Sequence, residues 1–255
     1  MNVLTIKGVS IGEGMPKIIV PLMGKTEKQI LNEAEAVKLL NPDIVEWRVD
    51  VFEKANDREA VTKLISKLRK SLGDKLFLFT FRTHKEGGNM EMDGSSYLAL
   101  LESAIQTKDI DLIDIELFSG DANVKALVSL AEENNVYVVM SNHDFKKTPV
   151  KDEILSRLRK MQELGAHIPK MAVMPNDTGD LLTLLDATYT MKTKYADRPI
   201  ITMSMAATGL ISRLSGEVFG SACTFGAGEE ASAPGQIPVS ELRSVLDILH
   251  KNTRG

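Results

Sequence analysis

The sequence predicts an α/β protein folded as a (βα)8 barrel, the TIM-barrel architecture, on three observations. Short apolar runs alternate with amphipathic helical stretches along the whole chain, recurring at roughly 22 to 35 residues, the length of one βα unit. Eight such units fill 255 residues, the size of a closed barrel. No Gly-x-Gly-x-x-Gly follows the first run, so a doubly wound open sheet, the alternative, lacks its phosphate-binding turn.

The strands are expected at 17–22, 43–49, 76–82, 111–117, 136–141, 170–174, 200–205 and 222–225. Thr26 and Gln29 form a capping box before a helix whose apolar face is Ile30, Ala34, Val37 and Leu39 or Leu40. Asp121 is expected to cap the helix of Val124, Leu127, Val128 and Ala131. Thr148-Pro149 opens the helix carrying Ile154, Leu155, Leu158, Met161 and Gln162. The last helix starts near Ser240, with Leu242, Val245, Leu246 and Leu249 on one face. In segment 1–14, Val3-Leu4-Thr5-Ile6 and Val9-Ser10-Ile11 suggest a hairpin covering one end of the barrel. The glycine- and alanine-rich stretch 226–237 reads as a loop. With no linker or low-complexity tract, 1–255 is expected to be one domain.

Composition narrows the function classes. Hydrophobic residues make up 43% and charged residues 26%, ordinary for a soluble globular chain. The net charge of −4 and the lack of a basic run argue against a nucleic-acid partner. No run of about 18 apolar residues predicts a membrane span, and Met1 to Val20 carry no signal-peptide core. Cys223 is the only cysteine, which excludes an internal disulfide and a cysteine-rich zinc site. A cytoplasmic location is expected.

Strand parity then turns the strongly apolar side of each strand toward the helices and the other side into the lumen. Val45, Trp47 and Val49 face out, leaving Glu46, Arg48 and Asp50 inside. Phe77, Phe79 and Phe81 leave Thr80 and Arg82 inside; Ile113, Ile115 and Leu117 leave Asp114 and Glu116. Val136, Val138 and Met140 leave Ser141 and His143, and Met171 and Val173 leave Lys170 beside Ala172. A structural barrel fills its lumen with Val, Ile and Leu, so polar groups at the C-terminal strand ends read as a site. Ion pairs among Glu46, Arg48, Asp50 and Arg82 that only frame the site are an equally good reading of those four. Asp50, Asp114 and Glu116 are oxygen ligands of the kind Mg²⁺ takes, but Lys170, Arg48 and Arg82 already bring positive charge to the same space, so no metal is expected.

Lys170 is the most informative residue. It interrupts His167-Ile168-Pro169-Lys170-Met171-Ala172-Val173-Met174, which otherwise reads as a buried strand. Burial pushes an ammonium toward its neutral form, and a neutral amine attacks carbonyls to form a Schiff base. A lysine at an exposed strand start is the bland alternative. Of the four histidines, only His143 falls at a strand end, where a general base could share the lumen with Lys170. His167 looks incidental, at the rim.

These residues lie in motifs that occur together and in order. They are Glu46-Trp47-Arg48-Val49-Asp50, Phe79-Thr80-Phe81-Arg82 with Glu86-Gly87-Gly88, Ser141-Asn142-His143-Asp144-Phe145, Pro169-Lys170 after Arg159 to Ala166, Pro199 to Met205, and Ser232-Ala233-Pro234-Gly235-Gln236. In these motifs the chain closely resembles the type I 3-dehydroquinate dehydratases, the Schiff-base class of the shikimate pathway, over essentially its full length. The resemblance implies a lyase, with no cofactor, that converts 3-dehydroquinate to 3-dehydroshikimate by syn elimination. In it Lys170 forms the iminium and His143, with a pKa near neutrality, moves the proton. Glu86 orients His143. The resemblance also implies that Arg213 binds the substrate carboxylate, that Glu46, Arg48 and Arg82 surround the ring hydroxyls, and that Met203, Met205 and Phe225 form an apolar wall. It makes 226–237 a lid with Ser232 and Gln236 as contacts, and it implies a homodimer. Pro21 departs from the pattern, standing where many members have a substrate-contacting serine. A class I aldolase is the rival Schiff-base barrel, and it would need a phosphate site. A non-catalytic barrel that binds hydroxy acids is the rival from another class.

Overall fold

The computed structural model describes residues 3–228 and 235–253. A hairpin, Leu4–Ile6 (β1) and Val9–Ile11 (β2), comes first. Its two-residue turn puts Lys7 at φ 45° and Gly8 at φ 81°. Two positive φ values match the twist of the flanking strands, and glycine takes the second at no steric cost. The eight expected strands follow as Lys17–Leu22 (β3), Ile44–Arg48 (β4), Leu76–Thr80 (β5), Leu112–Glu116 (β6), Tyr137–Asp144 (β7), Ile168–Val173 (β8), Ile201–Ser204 (β9) and Cys223–Ala227 (β10). Each pairs in parallel with the next from β3 to β9, and β10 pairs with β3. The ring closes through a parallel bridge between Ile200 and Ser221, where Ala222 N donates to Ile200 O at 2.8 Å.

Around the ring lie Glu27–Leu39 (α1), Arg58–Leu72 (α2), Gly94–Gln106 (α3), Asp121–Glu133 (α4), Lys151–Glu163 (α5), Thr178–Thr190 (α6), the short Leu210–Leu214 (α7) and Gly216–Phe219 (α8), and Val239–Thr253 (α9). None of the described helices is long and apolar enough to cross a membrane.

The capping box forms as read: Thr26 accepts from Gln29 N while Gln29 Oε1 accepts from Thr26 N at 3.0 Å. Other helix details differ from expectation. Ile30, Ala34 and Val37 are buried, but Leu39 and Leu40 are exposed, because the helix ends there and its apolar stripe has turned away from the sheet. Asp121 does not cap α4. Gly120 holds that position at φ 93°, and Asp121, one residue inside, pairs with Lys160 at 2.8 Å. Val150, not Thr148-Pro149, precedes α5, and the Thr148 hydroxyl donates to Met174 O. The stretch 226–237 is not wholly loop. Gly226 and Ala227 end β10, and Ile237–Pro238 (β11) pairs beside them in parallel.

Two apolar layers hold the barrel. Outside the strands, Val45, Trp47, Phe79, Ile115, Val138 and Met171 pack with helix residues such as Leu64, Leu101, Val128 and Leu158. Trp47 meets Phe79 edge-on, with ring centroids 5.8 Å apart. Inside, Ile19, Ile44, Leu76, Leu78, Leu112, Val139, Ile168 and Ile201 fill the lumen beneath Ile6 and Ile11 of the hairpin. The lumen is therefore charged only in its C-terminal half. The apolar residues of its lower half come from the same strands nearer their N-terminal ends, where the hairpin shuts out water and nothing could solvate a charge.

Candidate active site

Lys170 stands inside β8, not at its start, and is 3% exposed. Register puts it between Ser141 of β7 and Ile201 of β9. Its Nζ is 3.5 Å from Asp114 Oδ2 and 4.7 Å from the centre of the Phe225 ring. Burial lowers its pKa, Asp114 and Glu46 oppose that, and Arg82 and Arg48 add to it. A neutral amine is thus brought closer to neutral pH while Asp114 still anchors it.

Asp114 is committed elsewhere. Arg82 Nη2 donates to its Oδ2 at 2.8 Å and Ser141 Oγ to its Oδ1 at 2.6 Å. Arg82 Nη1 also donates to Glu116 at 2.9 Å and to Ser141 Oγ at 2.9 Å. Arg48 grips Asp50 with two bonds of 2.8 and 2.9 Å, and Glu46 accepts from Thr80 at 2.8 Å. Each buried charge has an opposite charge or a donor in contact, the condition under which a lumen can hold so many. Among the described residues no group of three His, Cys, Asp or Glu is arranged to hold a metal.

His143, near the end of β7, has its Nδ1 2.9 Å from Glu86 Oε2, which also accepts from His143 N at 3.0 Å. Glu86 ends the single helical turn His84–Glu86 after β5. That turn is closed by Gly88, whose N donates to Thr83 O at 2.8 Å and where a Cβ would stand 1.8 Å from Arg82 O, so only glycine lets the loop fold back over Arg82. Beside it, Gly87 at φ 83° lies against the Phe145 ring. The His143 pKa does not sit near neutrality. Burial first, then Arg82, Lys170 and Arg48, hold it well below the usual histidine range. The imidazole is therefore neutral, and the Nδ1–H···Glu86 bond leaves Nε2 as the basic nitrogen.

These groups line one cavity of about 590 Å³, counted out to its open mouth. Glu46, Arg48, Arg82, Glu86, His143 and Lys170 form its polar floor and side; Met203, Met205 and Phe225 form an apolar side, with Arg213 and Gln236 nearer the loops. Every described residue expected in the site lines it; Ser232 lies outside the described residues. Arg213, on α7, is 2% exposed, and burial pushes its pKa down to about 10, which leaves it charged at neutral pH. Phe145 and Gly87 also line the cavity, though neither was expected to. Phe145 stands two residues after His143 in the same motif, and that proximity is the available signal.

Pro21 faces Glu46 in register but lines a separate cavity with Met23, Glu33, Val37 and Gly228. The β10 ladder on β3 ends at Ile19, so the missing N–H of Pro21 falls where pairing on that side has stopped. His167 is more than incidental: its Nδ1 accepts from Val138 N at 3.0 Å, extending the β7–β8 ladder by one bond.

Residues 18–253 match the family model described as type I 3-dehydroquinase. The chain is 97% identical over 255 residues, all of both chains, to a 3-dehydroquinate dehydratase of Bacillus subtilis (strain 168). It is 66% identical over 252 residues to one of Bacillus velezensis, covering 99% of this chain and all of that protein. A crystal structure of a type I 3-dehydroquinate dehydratase from Clostridium difficile, with covalent modified comenic acid, superposes with a TM-score of 0.95 at 51% identity, covering 98% of each chain. With the barrel and its charged mouth in agreement, the chain belongs to the type I 3-dehydroquinase family and is a hydro-lyase.

Proposed function

We propose that the chain dehydrates 3-dehydroquinate to 3-dehydroshikimate through a Schiff base on Lys170. The observation that carries this reading is the buried Lys170 amine opening onto the same cavity as the His143–Glu86 pair. The amine adds to the C3 ketone and water leaves, giving an iminium. The iminium draws electrons from the adjacent C2–H bond, and His143 Nε2 takes that proton, leaving an enamine. The enamine electrons expel the C1 hydroxyl, which leaves as water with the proton returned by His143. Water then hydrolyses the product iminium and frees Lys170. A neutral imidazole suits the first transfer, and the Glu86 carboxylate stabilises the imidazolium that results. Water is excluded while the iminium lasts if the 226–237 segment closes over substrate, with Ser232 and Gln236 as contacts.

Borohydride reduction in the presence of 3-dehydroquinate, followed by peptide mass spectrometry, tests the reading. A substrate-derived adduct on Lys170 is expected; an adduct on another lysine, or none in folded protein, counts against it. Activity that depends on a phosphate group in the substrate would favour an aldolase instead.

Arg213 is assigned to the substrate carboxylate because it is the cation of the cavity set on the apolar side, away from the acidic cluster. Arg213→Ala is expected to raise KM about 10- to 100-fold with a smaller change in kcat, the loss of a charge-assisted pair. Steady-state kinetics showing an unchanged KM would remove the assignment. The family resemblance supports a cytoplasmic homodimer; a sedimenting mass near the 28.0 kDa of one chain would exclude the dimer.

A further inference from the structure

Asn142 breaks the parity of its strand. Val138 and Met140, four and two residues before it, lie in the apolar layer between sheet and helices. Asn142 continues on that side at 4% exposure, a position where an amide has a large desolvation cost unless both its ends are bonded. Both are bonded. Arg157, from α5, donates through Nη1 to Asn142 Oδ1 at 2.8 Å, and Asn142 Nδ2 donates to Glu86 Oε1 at 3.0 Å. A guanidinium only donates, so the amide oxygen must face Arg157 and the amide NH₂ must face Glu86. Arg157 is held in turn by Glu153 at 2.7 Å and covers the Phe118 ring at 5.6 Å.

We propose that Asn142 and Arg157 are positioning residues: Arg157 locks the Asn142 amide so that it can only donate to Glu86, favouring the ionised form of that carboxyl as the acceptor for His143. The inference rests on the proposed roles of His143 and Glu86.

The balance at Glu86 is close enough for one bond to matter. Burial, then Glu116, raise its pKa to about 8, with Asp114 adding to that, while Arg82 at 3.7 Å and the Asn142 bond lower it. His143 feels Arg82, Lys170 and Arg48 besides. Free of Arg157, the amide can turn its oxygen toward Glu86 and accept from a protonated carboxyl. The neutral acid then has the partner that the carboxylate lost, and a neutral Glu86 no longer stabilises the imidazolium.

The test compares Arg157→Met, which keeps an apolar stem over Phe118, with Arg157→Lys, which still donates to the amide oxygen. Arg157→Met is expected to move the acid limb of the kcat–pH profile upward by about one unit, the worth of one hydrogen bond to a charged group. Borohydride trapping on Lys170 stays intact, and Arg157→Lys keeps the parent profile. An unmoved limb in folded Arg157→Met overturns the proposal, as does an equal shift in Arg157→Lys, which would mark a packing effect. Asn142→Asp, which still accepts from Arg157 but cannot donate to Glu86, must shift the limb in the same direction; if it does not, the proposal falls. A parent protein that traps no adduct on Lys170 refutes the Schiff-base reading itself, and this inference with it.

Discussion

Lys170→Met is expected to lose the borohydride adduct entirely and at least about 10⁵-fold in kcat, the scale seen when a covalent enzyme loses its nucleophile. The variant should still fold. Asp114, the carboxylate that Lys170 leaves behind, keeps Arg82 at 2.8 Å and Ser141 at 2.6 Å, so no buried charge is orphaned. The methionine fills nearly the same volume and lies against Phe225 without a desolvated ammonium. A circular-dichroism melt close to that of the parent, together with absent turnover, separates lost chemistry from lost structure. Substantial residual turnover through the same intermediate would show that another group carries the reaction.

His143→Ala is expected to divide the reaction at its middle. Imine formation depends on Lys170, so trapping on that residue should persist. Proton transfer should slow by about 10³- to 10⁴-fold, the usual contribution of a positioned base. The imine should therefore accumulate, and mass spectrometry of the unreduced protein after mixing with substrate should find it. Normal turnover in this variant would remove His143 from the mechanism. The low pKa of His143 sharpens the expectation. Because the imidazole is neutral well below pH 7, the acid limb of kcat in the parent should report Glu86, the group pushed up to about 8, rather than a histidine near 6.5.

The two substitutions act on groups that the barrel holds quite differently. Lys170 sits in mid-strand, bonded on both sides by ladder partners, and its position is as rigid as the sheet. His143 depends on a loop: its orientation is set by Glu86, and Glu86 is set by a single helical turn that Gly88 allows to close. Changes in the 83–88 loop should therefore impair proton transfer before they impair imine formation.

Much of this arrangement is legible in the sequence, because a barrel strand alternates with period two and one parity is strongly apolar. Val45-Glu46-Trp47-Arg48 and Phe77 to Arg82 declare which side chains enter the lumen with no knowledge of the strand order. Helix ends are less legible. Asp121 and Thr148 have the right chemistry for capping, but the helices start after Gly120 and Val150, and the two side chains turn instead to Lys160 and Met174, partners distant in sequence. Nor does parity tell how deep along the lumen a charge lies. The apolar lower half, closed by Ile6 and Ile11, emerges only when the hairpin is seen seated on it.

The barrel, its lumen-facing set and the candidacy of Lys170 and His143 all follow from local periodicity along the chain. How those charges pair, and which way each pKa moves, depends on the folded arrangement. It brings Arg82 to Asp114 and Glu116, Asn142 to Glu86, and Arg157 to Asn142, across separations of 32, 34, 56 and 15 residues. Electrostatic energy depends on distance and on exclusion of water, and neither quantity exists until strands far apart in the chain share one dry space.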